Sequence, residues 1–176
     1  MSLEKRVKDV IRDVPDFPKP GIIFKDITPI LTKPDLVNDI LDQLAFQLFD
    51  LQIDGIAGIE SRGFLFAPAL AAKLRLPFHL IRKKGKLPGK KIEQSYQLEY
   101  GEDIIEMHEG FINKGDNILI HDDLLATGGT AAAAAQLIKK QSAKVAGFSF
   151  LVNLSFLDGV EKLEQHSSHI TTIVNY

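Results

Sequence analysis

Two stretches of the chain, 55–81 and 117–154, each read as a short apolar strand, a turn of small and charged residues, a helix and a second apolar strand. Strand, helix, strand in that rhythm specifies parallel pairing with a crossover, so the chain is constrained to an α/β fold with a central, mostly parallel sheet flanked by helices. In the first unit the strand Gly55 to Ile59 leads through Glu60-Ser61-Arg62-Gly63 to a helix over Pro68 to Leu74 and a strand at Phe78 to Ile81. In the second, Asn117 to His121 is the strand, Asp122 to Gly129 the turn, Thr130 to Gln141 an alanine-rich helix, and Val145 to Leu154 the returning strand.

The remaining pattern is filled in around those units. Leu3, Val7, Val10, Ile11 and Val14 recur at helical spacing and predict an opening amphipathic helix closed by Pro15, Pro18 and Pro20. An irregular arm carrying Gly21-Ile22-Ile23-Phe24 follows, then a helix entering near Pro34 and ending before Ile53. Ser95 to Tyr100 and Ile104 to Met107 suggest a hairpin around Gly101, Asp158 to Leu163 a turn, and Ile170 to Val174 a last strand. At 176 residues this is one domain, 1–176.

Charge and composition narrow the function classes. With 21 basic and 23 acidic side chains the net charge is -2, which gives no global footprint for binding nucleic acid or an anionic membrane. Zero Cys removes disulfide scaffolds, thiolate metal sites and cysteine nucleophiles together and fits a reducing compartment. The charged opening MSLEKRVKDVIRDV has no apolar run of signal-peptide length, and no stretch approaches the ~20 apolar residues of a membrane span, so a cytoplasmic protein is expected.

In an open parallel sheet, ligands bind beyond the carboxyl ends of the strands, so the turns after Ile59, Ile81 and His121 are expected to share one crevice. The third turn reads Asp122-Asp123-Leu124-Leu125-Ala126-Thr127-Gly128-Gly129-Thr130. Its glycines allow backbone N–H groups to approach a phosphate, its hydroxyls add donors, and the helix amino terminus favours the anion. Adjacent carboxylates would repel that phosphate and suit vicinal ribose hydroxyls instead. A phosphorylated ribose fits both halves; an acidic strand end with an ordinary Thr cap is the plainer alternative. No Lys follows the glycines as in a Walker motif, and there is no G-x-G-x-x-G. The segment from Arg82 to Lys91 holds six bases and no acid, and six unpaired like charges between glycines and a proline predict an open, mobile loop or a solvated face.

The string ILIHDDLLATGGTAAAA closely resembles the phosphoribosyl-pyrophosphate (PRPP) motif of type I phosphoribosyltransferases. DFPKPGIIFKDITPIL, GIESRGFLFAPALA, LIRKKGKLPG and SYQLEYG, in that order, resemble the adenine phosphoribosyltransferase family, with the likeness running from about Pro15 to Leu157. The resemblance implies the type I fold with a flexible loop over the site and a small amino-terminal hood, to which residues 15–33 contribute the base-binding part. It implies purine salvage, adenine and PRPP giving AMP and pyrophosphate, with Mg²⁺ carried mainly by substrate and no dedicated metal ligands, in a homodimer that binds neither nucleic acid nor membrane. A phosphoribosyltransferase for another base such as xanthine, or a non-catalytic PRPP-sensing regulator, are the rival readings.

By that resemblance Asp122 and Asp123 meet the ribose hydroxyls, and Ala126, Thr127, Gly128, Gly129 and Thr130 wrap the 5′-phosphate. Glu60, Ser61, Arg62, Lys83, Lys86 and Tyr100 serve the pyrophosphate, with an uncommon cis peptide expected between Glu60 and Ser61; Arg62, Lys83 and Glu99 are the catalytic candidates. Adenine is expected on Phe24, its edge read by backbone around Ile23 and Lys25 and its other face closed by Leu154. Read without the family, Arg62 is as well a surface ion-pair residue, Phe24 a core residue, and Glu99 a solvent-facing acid. His121 and Asn153 depart from the family's usual residues, and His121 could shift the ionisation of the carboxylates beside it.

Overall fold

The structure, a computed structural model, describes residues 1–97 and 101–176. Seven strands form one sheet: β3 (Gly55–Ile59), β4 (Phe78–Lys83), β5 (Lys91–Gln97), β6 (Glu102–His108), β7 (Asn117–Leu125), β8 (Lys144–Asn153) and β9 (Ile170–Asn175), in the order β5-β6-β4-β3-β7-β8-β9. The pairs β3–β4, β3–β7, β7–β8 and β8–β9 are parallel, and only the β4–β6–β5 edge is antiparallel. The expected crossover units and the hairpin of β5 with β6 are both present, which is the mostly parallel α/β architecture read from the sequence.

Each face of the sheet has its own core. On one side α1 (Leu3–Lys8), α2 (Pro34–Gln47) and α3 (Ala67–Leu74) cover Ile56, Leu119, Leu151 and Val174, with Phe66 fully buried among them. On the other, α4 (Gly129–Lys140) and α5 (Gly159–Glu164) cover Ile118, Ile120, Phe148 and Phe150. The alanine run suits α4 to this role: Ala133, Ala134 and Ala135 are buried, and short side chains let the helix axis lie close to the sheet while favouring helix.

Three expectations are corrected. The opening helix stops at Lys8, and Arg12–Pro15 instead forms β1, antiparallel to β2 (Ile23–Asp26) with Val14 opposite Phe24. The arm is therefore a two-stranded hairpin rather than irregular chain: β-branched Val10, Ile11 and Val14 are indifferent helix formers, and strand pairing satisfies backbone that Pro15 would leave unpaired in a helix. The strand carrying the paired carboxylates runs on to Leu125, past Asp122 and Asp123, because β8 continues alongside it. The turn expected near Asp158 is a short helix, α5.

The hairpin is fastened where it rejoins the body. Asp26, only 7% exposed, accepts hydrogen bonds from the Thr28 N–H at 2.9 Å and Thr28 Oγ1 at 2.7 Å, while Arg12 donates to its other oxygen at 2.6 Å. Asp26→Ala should lower unfolding stability by about 1–3 kcal/mol, the cost of leaving such donors without an acceptor. Urea titration checks this; an unchanged midpoint would show that the junction contributes no stability.

Candidate functional site

The site is built on the two central strands. Parallel pairing sets Gly58 of β3 opposite His121 of β7, so the chain leaving β3 at Glu60 emerges beside Asp122 and Asp123. The Glu60–Ser61 peptide is cis, and a 3-10 turn over Arg62–Leu65 follows. That turn can lie against β7 only because residue 63 is glycine: a Cβ there would sit 2.9 Å from the His121 carbonyl oxygen and 3.1 Å from Asp122 Oδ1. Arg62 is thereby held with its Nε 3.0 Å from Asp123 Oδ2 and its guanidinium 4.8 Å from the centre of the Phe24 ring. This one side chain touches both the carboxylate pair and the hairpin.

A cleft of about 290 Å³ is lined by Ile59, Glu60, Ser61, Arg62, Lys83, Tyr96, Asp122, Asp123 and Thr130. A smaller pocket of about 80 Å³, lined by Leu124 to Ala131 with Asp122 and Phe150, adjoins it through Asp122 and Thr130. Gly128 adopts the left-handed φ of 73° there, and α4 starts without a side-chain cap, so its first N–H groups lack intrahelical partners at the pocket wall. Gly128 also rests on Gly159 at the start of α5; a Cβ on Gly128 would meet the Gly159 carbonyl oxygen at 2.8 Å. The small loop is thus shaped from beneath by Gly159, which lies far from it in sequence, at the start of α5.

The paired carboxylates are electrostatically loaded. Burial and repulsion from Asp123 push the Asp122 carboxyl well above its ordinary range, and burial also raises Asp123, where the Arg62 guanidinium offsets part of the effect. His121 has no part in this. It is fully buried, its Nδ1 lies 3.1 Å from Ser149 Oγ, and burial lowers its pKa to about 4, so it is neutral at physiological pH. The expected influence of His121 on the carboxylates is corrected accordingly.

The basic segment is also corrected. Five of its six bases meet a carboxylate: Arg82 and Lys86 both reach Glu60 Oε1 at 3.0 Å, Lys83 reaches Asp103 at 3.1 Å, Lys84 reaches Glu93 at 3.2 Å, and Lys91 reaches Glu106 at 2.8 Å. Glu60 therefore spends its carboxylate on the segment, while its backbone shapes the turn. Although burial opposes ionisation, Arg82, Lys86 and the Lys83 N–H bring its pKa to about 2. Glu106, fully buried on β6, receives the N–H groups of Gly85, Lys86 and Leu87 at 3.1, 2.8 and 2.6 Å, and burial is again outweighed, to a pKa of about 2.

Asp103, Tyr96 and Glu106 were not among the sequence candidates. Tyr96 Oη donates to Asp103 Oδ2 at 3.3 Å, and Asp103 holds Lys83 at the cleft. The available signal was an acid at each end of Ile104-Ile105, facing a basic segment across a hairpin. Of the expected site residues, Glu60, Ser61, Arg62, Lys83, Asp122, Asp123 and the 126–130 loop are brought together, and Phe24 joins them through Arg62. Lys86 reaches this group through Glu60. Ile23 is 59% exposed on the hairpin beside Phe24, the Lys25 side chain turns to Asp13 at 2.7 Å, and Leu154 follows β8, its N–H bonded to the Leu125 carbonyl at 2.9 Å. Glu99 and Tyr100 lie outside the described residues.

With this geometry in place, the comparisons are decisive. The phosphoribosyl transferase domain family matches residues 26–175. Adenine phosphoribosyltransferase from Cytophaga hutchinsonii is 48% identical over 174 residues, covering 99% of this chain and 96% of that one. This chain belongs to the adenine phosphoribosyltransferase family. Among solved structures, the adenine phosphoribosyltransferase of Thermoanaerobacter pseudethanolicus superposes with a TM-score of 0.95 at 42% identity, covering 99% of this chain and all of that one. The Saccharomyces cerevisiae enzyme, solved with adenine and an imino-altritol bisphosphate, gives 0.90 at 38% identity, with 97% and 98% covered.

The anchoring of the basic segment by Glu106 carries a pH-dependent prediction. Its folded pKa of about 2 lies below the ordinary 4.5, so its contribution to stability is fully present above pH ~4.5 and is lost as pH falls towards 2. Glu106→Gln should be less stable than the parent by about 2 kcal/mol near pH 7, and that gap should shrink across this acid window in paired denaturant titrations. A gap independent of pH would show that charge at Glu106 is not what holds the segment.

Proposed function

We propose the following roles at this site for the reaction of the family, in which adenine and PRPP give AMP and pyrophosphate. The observation that carries them is the junction of the two pockets: buried Asp122 and Asp123 at the strand end, the glycine loop on one side and Arg62 on the other. A ribose there would donate its two hydroxyls to Asp122 and Asp123, and its 5′-phosphate would take the N–H groups and hydroxyls of Ala126, Thr127, Gly128, Gly129 and Thr130. Its pyrophosphate would then lie along Ser61, Arg62, Lys83 and Lys86, with Tyr100 joining from the residues that follow β5.

Adenine stacks on Phe24, with Leu154 on its other face, and backbone around Ile23 and Lys25 reads the edge; residues 15–33 form the hood that brings these groups over the ribose. The role of Lys25 is confined to its backbone, since its ammonium is held by Asp13. The purine N9 attacks C1 of the ribose, the bond from C1 to the pyrophosphate oxygen breaks, and the electron pair leaves with pyrophosphate. The N9 proton departs to a base, a role assigned here to Glu99. Negative charge grows on the leaving group, so fixed cations contribute most: Arg62, and Lys83, whose own charge Asp103 favours.

Mg²⁺ belongs to this reading as a substrate-borne ion. Among the described residues no group of three His, Asp or Glu could hold a metal, and of the cleft carboxylates Glu60 and Asp123 already face cations. Hard oxygens from PRPP and water, with Asp122 bordering them, match the preferences of Mg²⁺, and the ion would supply neutralising charge to pyrophosphate. We place the enzyme in the cytoplasm, where its substrates are metabolites, and read it as a homodimer; Phe46 and Phe49, exposed together at the end of α2, give apolar surface for a second copy. No helix among the described residues is long and apolar enough to cross a membrane.

The relatives are enzymes named for adenine, which favours neither the xanthine reading nor the regulator. A coupled assay with adenine, hypoxanthine, guanine and xanthine, each with PRPP and Mg²⁺, tests the base assignment. Adenine should exceed hypoxanthine by at least ~10²-fold in kcat/KM, because replacing an amino donor by a carbonyl mismatches buried backbone partners. Comparable rates would remove it. Asp123→Asn should weaken AMP binding by about 1.5–3 kcal/mol in calorimetry through loss of a charge-assisted hydrogen bond, with adenine affinity less affected. AMP binding equal to the parent's would displace the ribose from this position.

A further inference from the structure

The aromatic ring of Tyr176 lies outside every pocket of the site, yet it contacts the supports of both walls assigned to adenine. Its backbone belongs to one wall. The Tyr176 N–H donates to the Asn153 carbonyl at 3.0 Å, and its carbonyl accepts from the Ser155 N–H at 2.9 Å, so it brackets Leu154 from either side. The neighbouring Asn175 reinforces this, its Oδ1 taking a hydrogen bond from Asn153 Nδ2 at 3.0 Å.

The ring belongs to the other wall. The Lys25 ammonium lies 4.0 Å from its centroid, and the Lys8 ammonium of α1 lies 5.2 Å away. Lys25 alternates with Phe24 along β2, so its side chain leaves the hairpin on the face away from Phe24 and Arg62. Its 14% exposure and its bond to Asp13 at 2.7 Å fix the ammonium in place over the ring. A two-stranded hairpin has little stability of its own and takes its position from such contacts.

We propose that Tyr176 is a positioning residue for the base site: its backbone holds the Leu154 wall, its ring holds the Phe24 hairpin through Lys25, and together they set the gap into which a purine fits. The inference rests on the assignment of Phe24 and Leu154 given above. It predicts an effect that falls mainly on the base, because Tyr176 contacts Lys25 and the backbone flanking Leu154, and reaches the carboxylate pair and the glycine loop only at one remove, through Arg62 and Leu125.

Steady-state kinetics on the full chain test it. Tyr176→Leu, which keeps the backbone and loses the aromatic face, should raise the adenine KM on the order of 10-fold while the PRPP KM and kcat stay within about twofold. Tyr176→Phe should restore the parent adenine KM, since the cation meets the ring face and not the hydroxyl. Lys25→Met should match Tyr176→Leu, and the double variant should be no worse than either alone. An unchanged adenine KM in Tyr176→Leu or Lys25→Met, or a parallel rise in both KM values, would overturn the proposal. If Tyr176→Leu does not fold, Lys25→Met against Lys25→Arg carries the same comparison, the arginine restoring the cation. A parent that makes no AMP from adenine would overturn instead the functional reading on which this stands.

Discussion

Parallel pairing of β3 with β7 is the constraint on which the site depends. It delivers the Glu60–Arg62 turn and the Asp122–Asp123 pair to the same edge of the sheet, and the absence of a side chain at residue 63 lets the turn lie directly on the strand. Arg62 then reaches the buried Asp123, its Nε 3.0 Å from Oδ2. Two adjacent carboxylates at a buried strand end are costly when charged, and the arginine offsets part of that cost. The same cation reaches the Phe24 ring, so sugar end and base end are joined through one guanidinium.

What could be read in advance followed from locality. The crossover units, the glycine loop and the carboxylate pair are contiguous strings whose period or composition carries their meaning, and each appeared within a few residues of its expected place. The amino-terminal stretch misled because Leu3 to Val14 carries helical spacing while the decision lies with β2, a partner too distant for periodicity to register. The basic segment misled for the same reason. The six bases look unpaired when Glu60, Glu93, Asp103 and Glu106 are read in their own local runs, yet five of them meet one of these acids, and the β4–β6 and β5–β6 registers bring most of the acids alongside. Tyr176 and Gly159 act wholly through such distant contacts and carry no local mark.

The pairing of the basic segment changes how anion binding at this site should be understood. Arg62 is matched with Asp123, Lys83 with Asp103 and Lys86 with Glu60, so each cation assigned to pyrophosphate already has a carboxylate partner. On that assignment, binding a pyrophosphate would be an exchange of partners, with a free energy equal to the difference between two sets of charge-assisted contacts. A simple anion offers too few oxygens to compensate three displaced carboxylates, whereas a pyrophosphate fixed through a ribose and a 5′-phosphate brings several oxygens at once to positions set by the rest of the molecule. On the assignment proposed above, selectivity for the complete substrate would come from the competition as much as from the attraction. Glu106 supports that arrangement from a distance: by accepting the backbone N–H groups of Gly85, Lys86 and Leu87 it holds the segment where Lys86 reaches Glu60 at the edge of the cleft.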